Sequence, residues 1–235
     1  MILLLHGFTG SGEDWWACCP RLKERALAID LPGHGVDSVP VRPFQDSIGD
    51  ILDALPDSVD EIVGYSLGGR FALGLMALDP KRFRRATIIS AHPGLEDGSQ
   101  RADRLAGDRA WIRRLRDDGI DAFVEAWESQ PLFATQAGLP TAVLERQRRR
   151  RSGQRPAGLA ASLEQHGLGR MPSLWEPLTA FPGTLTWIVG ASDARFLAIA
   201  RDVVRRRPAT RLHVLPDVGH NPLLECPEIL SDLLV

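Results

Sequence analysis

A serine flanked by glycines constrains the fold of this chain more than any other feature. Residues 64–68 read Gly-Tyr-Ser-Leu-Gly and join an apolar run, 61–65, to a helix-forming run that begins at Ser66. A serine at such a junction occupies a sharp, strained turn, and the flanking glycines leave space for close backbone packing. The pattern alone is weak, because glycine and serine also form ordinary turns. Its position between a strand and a helix favours a nucleophilic serine.

Short apolar runs alternate with longer amphipathic stretches on both sides of this serine. Such alternation is typical of a parallel sheet whose crossover helices cover both faces, so we predict a doubly wound, mostly parallel α/β fold. The predicted strands are residues 2–5, 25–30, 61–65, 86–90, 184–189 and 211–215. The predicted helices of this core are residues 13–24, 44–55, 66–78, 194–206 and 222–234.

The strand signal disappears between residues 94 and 178. This segment reads as arginine-rich, tryptophan-containing amphipathic helix, interrupted by Gly138, Gly153, Gly167 and Pro172. We predict that residues 94–178 form a helical cap inserted into a core made of residues 1–93 and 179–235.

The composition excludes several classes of protein. A chain that is 44% hydrophobic and 25% charged is an ordinary globular protein rather than a disordered, fibrous or membrane protein. A formal net charge of −2 provides no long-range attraction to nucleic acid or to anionic membranes. The apolar opening, residues 1–5, is too short for a signal peptide or a membrane span. We therefore expect a cytoplasmic, monomeric protein that binds neither nucleic acid nor membrane.

The sequence predicts neither a metal site nor a cofactor. Cys18, Cys19 and Cys226 are too few and too irregularly spaced for a disulfide framework or a zinc site. No phosphate-binding loop or nucleotide fingerprint occurs in the sequence.

A serine nucleophile needs a base, and the base needs a carboxylate that orients it. Asp193 follows the predicted strand 184–189, and His220 lies in the loop after strand 211–215. Catalytic groups of parallel sheets collect at the carboxyl ends of strands, where Ser66 also lies. The chain order Ser, Asp, His is that of α/β-hydrolases, so we predict the α/β-hydrolase fold, with strand order 2-1-3-4-5-6. That fold commonly begins with an antiparallel hairpin, for which the five residues before His6 are too few, so either the sheet is trimmed at this edge or the true start lies upstream.

The remaining polar groups receive simpler interpretations. His6, His34 and His92 lie in loops rich in glycine or proline and are interpreted as loop-packing residues, whereas His166 is expected to be exposed in the cap. An oxyanion hole in this fold takes one backbone N–H from the residue after the nucleophile and one from a loop after an early strand. These donors would be Leu67 and Phe8.

Several motifs resemble one family within this fold, the MenH enzymes of menaquinone (vitamin K2) biosynthesis, which are 2-succinyl-6-hydroxy-2,4-cyclohexadiene-1-carboxylate synthases. The motifs are Leu-His-Gly-Phe-Thr-Gly at 5–10, Asp-Leu-Pro-Gly-His-Gly at 30–35, Gly-Tyr-Ser-Leu-Gly-Gly-Arg at 64–70, Ala-His-Pro-Gly-Leu at 91–95, Gly-Asp-Arg-Ala-Trp at 107–111, Ala-Trp-Glu-Ser-Gln-Pro at 126–131 and Gly-Leu-Ala-Ala-Ser-Leu at 158–163. They extend over the core and the cap. The first two motifs are shared by many hydrolases, whereas the arginine after Gly-Gly and the cap motifs are more selective.

The resemblance implies a lyase that eliminates pyruvate from an enolpyruvyl cyclohexene carboxylate carrying a succinyl chain. Ser66 would take a ring proton, activated by His220 and Asp193, without an acyl-enzyme. The resemblance also implies that Arg109 and Arg151 bind substrate carboxylates, and that Tyr65 and Trp127 line the pocket. Arg151 ends a run of four arginines, residues 148–151, so a neighbour in the run is an alternative. Packing inside the cap is the alternative role for Trp127.

Arg70 supports the same substrate class on physical grounds. It follows Ser66 by four residues and therefore lies one helical turn away on nearly the same face. A buried guanidinium is costly without an anion, and a carboxylate satisfies its planar fork. A structural ion pair or an exposed helix face is the alternative.

Two other functions remain open at this stage. A carboxylesterase or a carbon–carbon bond hydrolase would use the same triad but would need at most one anion contact. A non-catalytic binding protein would not need an intact triad. The arginines favour the lyase over the hydrolase.

Overall fold

One parallel sheet of six strands lies at the centre of the protein. The computed structural model describes residues 1–35 and 40–234; residues 36–39 and Val235, which we assigned to the core, lie outside the described residues. The strands are β1 (Ile2–Leu5), β2 (Ala26–Ile29), β3 (Glu61–Tyr65), β4 (Arg85–Ile89), β5 (Thr184–Gly190) and β6 (Arg211–Leu215). Their order is β2-β1-β3-β4-β5-β6, all parallel, as predicted.

Helices pack on both faces of the sheet and explain why its central strands are continuous apolar runs. Leu3, Leu4 and Leu5 are all fully buried although successive side chains of a strand point to opposite faces. The helices are α1 (Glu13–Cys18), α2 (Phe44–Ala54), α3 (Leu67–Leu78), α4 (Gly98–Asp117), α5 (Gly119–Glu128), α6 (Thr141–Ser152), α7 (Pro156–His166), α8 (Trp175–Ala180), α9 (Ala194–Arg206), α10 (Pro222–Glu225) and α11 (Pro227–Leu234). None of the helices in these ranges is long and apolar enough to cross a membrane.

Two of the predicted helices are divided in the structure, both at a proline. Helix α1 ends at Cys18, and a separate 3₁₀ turn, Pro20–Leu22, follows it. The predicted helix 222–234 is likewise divided into α10 and α11 at Pro227. Proline has no N–H to donate and its ring clashes with the preceding turn, so a new helical segment begins at each of these residues.

Helices α4 to α7 form the cap, which has a small hydrophobic core of its own. Phe123, Leu159 and Leu163 are buried in that cluster, and Phe8 of the sheet domain packs against it. The end of the cap differs from our expectation. Residues 168–178 pack in the central core, where Met171 and Trp175 are buried, and α8 packs on α3. The cap thus returns to the core near residue 167 rather than at 178.

Candidate active site

Ser66 lies in a strained turn between β3 and α3. Its backbone has φ +52° and ψ −105°, a region that residues other than glycine rarely adopt. The neighbouring glycines are required by close packing: a Cβ on Gly64 would lie 2.3 Å from the carbonyl oxygen of Gly68, and one on Gly68 would lie 2.1 Å from that of Leu5. The turn therefore holds the serine above the sheet at the carboxyl end of β3, as the sequence pattern predicts.

A continuous chain of hydrogen bonds joins Ser66 to His220 and Asp193. The Ser66 Oγ lies 3.1 Å from His220 Nε2, and His220 Nδ1 lies 2.7 Å from Asp193 Oδ2. His220 and Asp193 are both buried, with 2% and 6% of their surface exposed. Because Nδ1 donates to the carboxylate, Nε2 is free to accept the serine proton. The arrangement can deprotonate Ser66.

The loops that carry His220 and Asp193 are tied to each other and to nearby helices. Asp193 caps the N-terminus of α9, where its Oδ1 accepts from Phe196 N at 3.2 Å. Ser192 N donates to Val218 O at 2.9 Å, which joins the aspartate loop to the histidine loop. These backbone contacts fix the imidazole against its carboxylate.

Glu225 supports the histidine loop from the other side. Its carboxylate accepts from Gly219 N at 2.6 Å and from Asn221 N at 3.0 Å, the two residues that flank His220. The sequence analysis missed this residue. A glutamate five residues after a candidate histidine has no motif, and only the folded loop reveals its role.

The two expected oxyanion donors have free N–H groups. Leu67 is the first residue of α3, so its N–H has no partner within the helix. Neither this N–H nor that of Phe8 donates to another group in the described part of the chain. The loop that carries Phe8 is fixed by His6, whose Nδ1 donates to Gly7 O at 2.7 Å while its Nε2 accepts from Leu31 N at 2.9 Å. His6 is thus the loop-packing residue that we expected.

A cavity of about 500 Å³ separates the triad from the cap. Ser66 and His220 line its floor, and Tyr65 and Trp127 line its sides. The Trp127 ring also packs on Phe8, 5.1 Å between centroids, so it serves both the cavity and the cap. Burial raises the pKa of Tyr65, which keeps its phenol neutral. The cavity combines an apolar section with several charged groups.

Arg70 is a partly buried cation of this cavity that forms no ion pair within the described residues, although Asp108 lies near enough to raise its pKa. Its Nη1 donates to His166 O at 2.5 Å and lies 3.8 Å from Met171 Sδ, and no carboxylate in the described ranges forms an ion pair with it. Burial, together with the nearby Arg104, lowers the pKa of Arg70 to about 9. The guanidinium therefore stays charged at neutral pH but is incompletely compensated. A bound carboxylate would supply the missing partner.

Arginines of the cap also line the cavity, and Arg150 and Arg151 are each paired with an acid. Arg151 is 5% exposed, bonds to Glu128 at 3.1 Å and lies over the Phe133 ring. Arg150, its neighbour in the arginine run, bonds to Asp14 at 2.7 Å and lines the cavity as well. The last two arginines of the run, Arg150 and Arg151, therefore both line the cavity.

Arg109 does not lie where we predicted it. Its side chain is exposed on the outer face of α4 and borders a separate surface groove, whereas Arg104 lines the cavity and bonds to Asp108 at 2.9 Å. Arg104 and Asp108 are four residues apart and share one helical face, while Arg109 is one residue further and points about 100° away. Arg104 thus occupies the place expected for Arg109, and Arg195 of α9 is a further cavity arginine that the motifs did not indicate.

Two histidines also differ from their sequence interpretation. His166 was expected to be exposed, but it is 1% exposed and bonds to Ser47 Oγ at 3.1 Å and to Arg42 O at 2.9 Å. His92 was interpreted as a loop-packing residue, and it also borders the cavity. No group of three or more metal-ligating side chains occurs among the residues described.

Comparisons with known proteins agree with this geometry. Residues 2–233 match the alpha/beta hydrolase family. The 2-succinyl-6-hydroxy-2,4-cyclohexadiene-1-carboxylate synthase of Serratia proteamaculans (strain 568) is 35% identical over 98% of this chain and 89% of its own length. That of Escherichia coli O1:K1 / APEC is 33% identical over 96% and 88%. The structure of MenH from S. aureus is 26% identical, with a TM-score of 0.92, over 99% of this chain and 91% of that chain. The chain therefore belongs to the α/β-hydrolase family and, within it, to the 2-succinyl-6-hydroxy-2,4-cyclohexadiene-1-carboxylate synthases.

Proposed function

We propose that this enzyme is the lyase that eliminates pyruvate from 2-succinyl-5-enolpyruvyl-6-hydroxy-3-cyclohexene-1-carboxylate in menaquinone biosynthesis. The product would be 2-succinyl-6-hydroxy-2,4-cyclohexadiene-1-carboxylate. The observation that carries the proposal is the pairing of a Ser66–His220–Asp193 triad with Arg70, a partly buried cation that forms no ion pair among the described residues. Named relatives at 33% and 35% identity support it.

In this reaction Ser66 acts as a base rather than as a nucleophile. His220 accepts the Ser66 proton, and the serine oxygen removes a ring proton. The electrons of the C2–H bond form a double bond between C2 and C3, the existing C3–C4 double bond shifts to C4–C5, and the bond from C5 to the enolpyruvyl oxygen breaks. The leaving oxygen departs with the bonding pair, and the enolpyruvate takes up one proton to become pyruvate. No acyl-enzyme is formed, and the overall proton count is unchanged.

The charges of the cavity fit this substrate. Its succinyl, enolpyruvyl and ring carboxylates require several cationic partners, which Arg70, Arg104 and Arg151 provide around the cavity. The free N–H groups of Phe8 and Leu67 would bind oxygen atoms that gain negative charge as the ring proton leaves. Tyr65 and Trp127 would pack on the ring of the substrate.

The substrate is a small polycarboxylate, and the reaction needs no metal or cofactor. A monomeric enzyme in the cytoplasm is the simplest setting for it. We assign no nucleic-acid or membrane partner.

A hydrolase with the same triad is the second candidate. The observation that favours it is the pair of free oxyanion donors, which an esterase also needs. Three or more cavity arginines argue against it, because an ester or a simple diketone presents at most one carboxylate.

The decisive experiment gives purified enzyme the enolpyruvyl substrate and measures released pyruvate with a coupled dehydrogenase. The same preparation is assayed with a neutral short-chain ester. We expect pyruvate release that is lost in Ser66→Ala, and little ester hydrolysis. No pyruvate release, together with rapid ester cleavage, would assign the enzyme to the hydrolases instead.

A further inference from the structure

His92 lies beside the triad because of the topology of the sheet. It follows β4, which lies between β3, the strand of Ser66, and β5, the strand that leads to Asp193. The carboxyl ends of these three strands meet at one edge, and His92 borders the cavity there. Ser90, two residues earlier, is fully buried with φ +46°, a strained conformation of the kind that accompanies functional sites.

Hydrogen bonds hold the loop of His92 in one conformation. Gly94 N donates to His92 Nδ1 at 2.9 Å, Trp175 Nε1 donates to Gly94 O at 3.1 Å, and Leu174 N donates to Pro93 O at 2.7 Å. Gly94 has φ +109°, and a Cβ there would lie 2.6 Å from Pro172 O, so only glycine fits. The loop is therefore anchored to the segment that precedes α8, and the orientation of the imidazole is fixed.

The same contacts decide where the imidazole hydrogen lies. Because Nδ1 accepts the Gly94 N–H, the proton of the neutral ring is on Nε2. Within residues 1–35 and 40–234, His92 Nε2 forms no hydrogen bond. This nitrogen is also not fully enclosed by protein atoms. His92 thus has one unused donor at the cavity.

The surroundings keep this ring neutral. Burial and the nearby Arg195, Arg70 and Arg104 lower the pKa of His92 to about 4. Glu96 is the acid that opposes them, and it is held in two hydrogen bonds by Arg206, at 2.9 and 2.7 Å. A neutral imidazole among three guanidinium groups can donate its single N–H but adds no charge. An anion with several acceptor lone pairs would complement both the guanidinium groups and the imidazole N–H.

We propose that His92 is a substrate-binding residue whose Nε2–H donates a hydrogen bond to a substrate carboxylate in the subsite it shares with Arg70. The inference rests on the proposed function, since it needs a carboxylate substrate in this cavity. The arginines of the subsite supply charge, and His92 supplies a single directional contact. That contact favours a carboxylate over other anions when one carboxylate oxygen meets the arginines and the other accepts from Nε2.

Two amide substitutions separate this role from loop packing. His92→Asn places an oxygen near the position of Nδ1, so it keeps the acceptor for Gly94 N–H but loses the cavity donor. His92→Gln places an amide near the position of Nε2, so it keeps a donor but loses the loop acceptor. We expect His92→Asn to keep its melting temperature and to lose about 10- to 100-fold in kcat/KM, mainly through KM. We expect His92→Gln to melt lower and yet to retain more of kcat/KM than His92→Asn.

Calorimetry of the cyclohexadiene product and of pyruvate, each with wild type and His92→Asn, identifies which half of the substrate carries the carboxylate. One of the two should bind about 10- to 100-fold more weakly to the variant. His92→Asn with wild-type KM and wild-type binding of both ligands would overturn the proposal, as would losses that follow melting temperature alone. Wild-type enzyme that releases no pyruvate would instead overturn the proposed function itself.

Discussion

The cavity has two walls. The wall formed by the sheet domain, here the core wall, carries Ser66 and His220 at the ends of strands. The wall formed by the cap, here the cap wall, carries arginines on helices. In the core wall each reactive side chain is hydrogen-bonded to the next, and the chain ends in the buried Asp193. In the cap wall the contacts are ion pairs, such as Arg151 with Glu128 at 3.1 Å. The core wall is suited to moving a proton, and the cap wall to holding an anion.

Arg70 differs from the cap arginines although it faces the same cavity. Arg151 is buried beside an acid, whereas Arg70 is partly buried beside a carbonyl group and a sulfur atom. An uncompensated buried cation is costly, and the cost is recovered when an anion arrives. We therefore expect substrate binding to depend most on Arg70, which belongs to the core and lies on the helix that begins after Ser66.

Removing the charge at the end of the triad should have the largest effect. Asp193→Asn keeps an oxygen that can cap α9, as asparagine commonly does, so we expect nearly unchanged stability. Its amide nitrogen would donate to His220 Nδ1 and force the wrong tautomer on the ring. We expect kcat for pyruvate release to fall about 10³- to 10⁴-fold, the loss typical of this substitution in Ser-His-Asp triads. A loss below tenfold, with an unchanged melting temperature, would contradict the role of His220 as the base.

Arg70→Ala should have the next largest effect. The variant loses a charge-assisted contact worth about 2–4 kcal/mol, or ~30- to 1000-fold in kcat/KM for pyruvate release. Arg70→Lys should recover only part of it, because a point charge does not reproduce the planar fork. Folding should persist, since the side chain has no acid partner among the described residues.

A neutral ester is the control substrate for both Arg70 variants. Any residual ester hydrolysis should be nearly the same in wild type, Arg70→Ala and Arg70→Lys. Equal losses toward the anionic and the neutral substrate would make Arg70 a structural residue. They would also return the hydrolase to consideration.

Almost all of the core wall could be predicted from the sequence. Glycines around Ser66 and the apolar runs before Asp193 and His220 encode strand ends, and parallel topology then brings those ends together. The two divided helices had a visible signal as well, because Pro20 and Pro227 lie inside the predicted ranges. Local backbone chemistry governs all of these features, so they can be predicted from the sequence.

The cap wall was less predictable, because its residues depend on which face each cap helix presents to the cavity. Arg104 and Arg109 differ by one residue and lie on different faces of α4. No rule along the chain decides which of them meets the cavity, since most residues of this helix are charged or small. The same reason explains His166, which α7 turns toward Phe71 of the core rather than toward solvent.

Acidification should destabilise the contact between the two regions at His166. Its ring bonds to Ser47 of α2 and to Arg42 O, and burial lowers its pKa from 6.5 to about 4. Between these values the unfolded chain binds a proton that the folded protein does not. The free energy of unfolding therefore falls as the pH drops below 6.5, by up to about 1.4 kcal/mol per pH unit from this group.

Denaturant unfolding of wild type and His166→Gln at pH 7 and pH 5 measures this contribution. Glutamine does not titrate, so the variant should be less stable at pH 7 and should lose less stability between the two pH values. His92 has a lowered pKa as well and adds to the fall in both proteins, so the difference between them isolates His166. A gap that stays constant from pH 7 to pH 5 would show that His166 does not titrate in this way.

The smallest expected effect belongs to Arg109→Ala, and it tests which face of α4 meets the substrate. Arg109 is exposed and lies outside the cavity, so kcat/KM should change less than about twofold. Arg104→Ala is the matched change on the same helix, and it removes a cavity cation paired with Asp108. We expect it to lower kcat/KM about tenfold or more through KM, as loss of a contact to a charged group does. A larger loss in Arg109→Ala than in Arg104→Ala would contradict this arrangement. Helix α4 would then have to rotate by about 100° about its axis when substrate binds, and the cap would move rather than stay fixed.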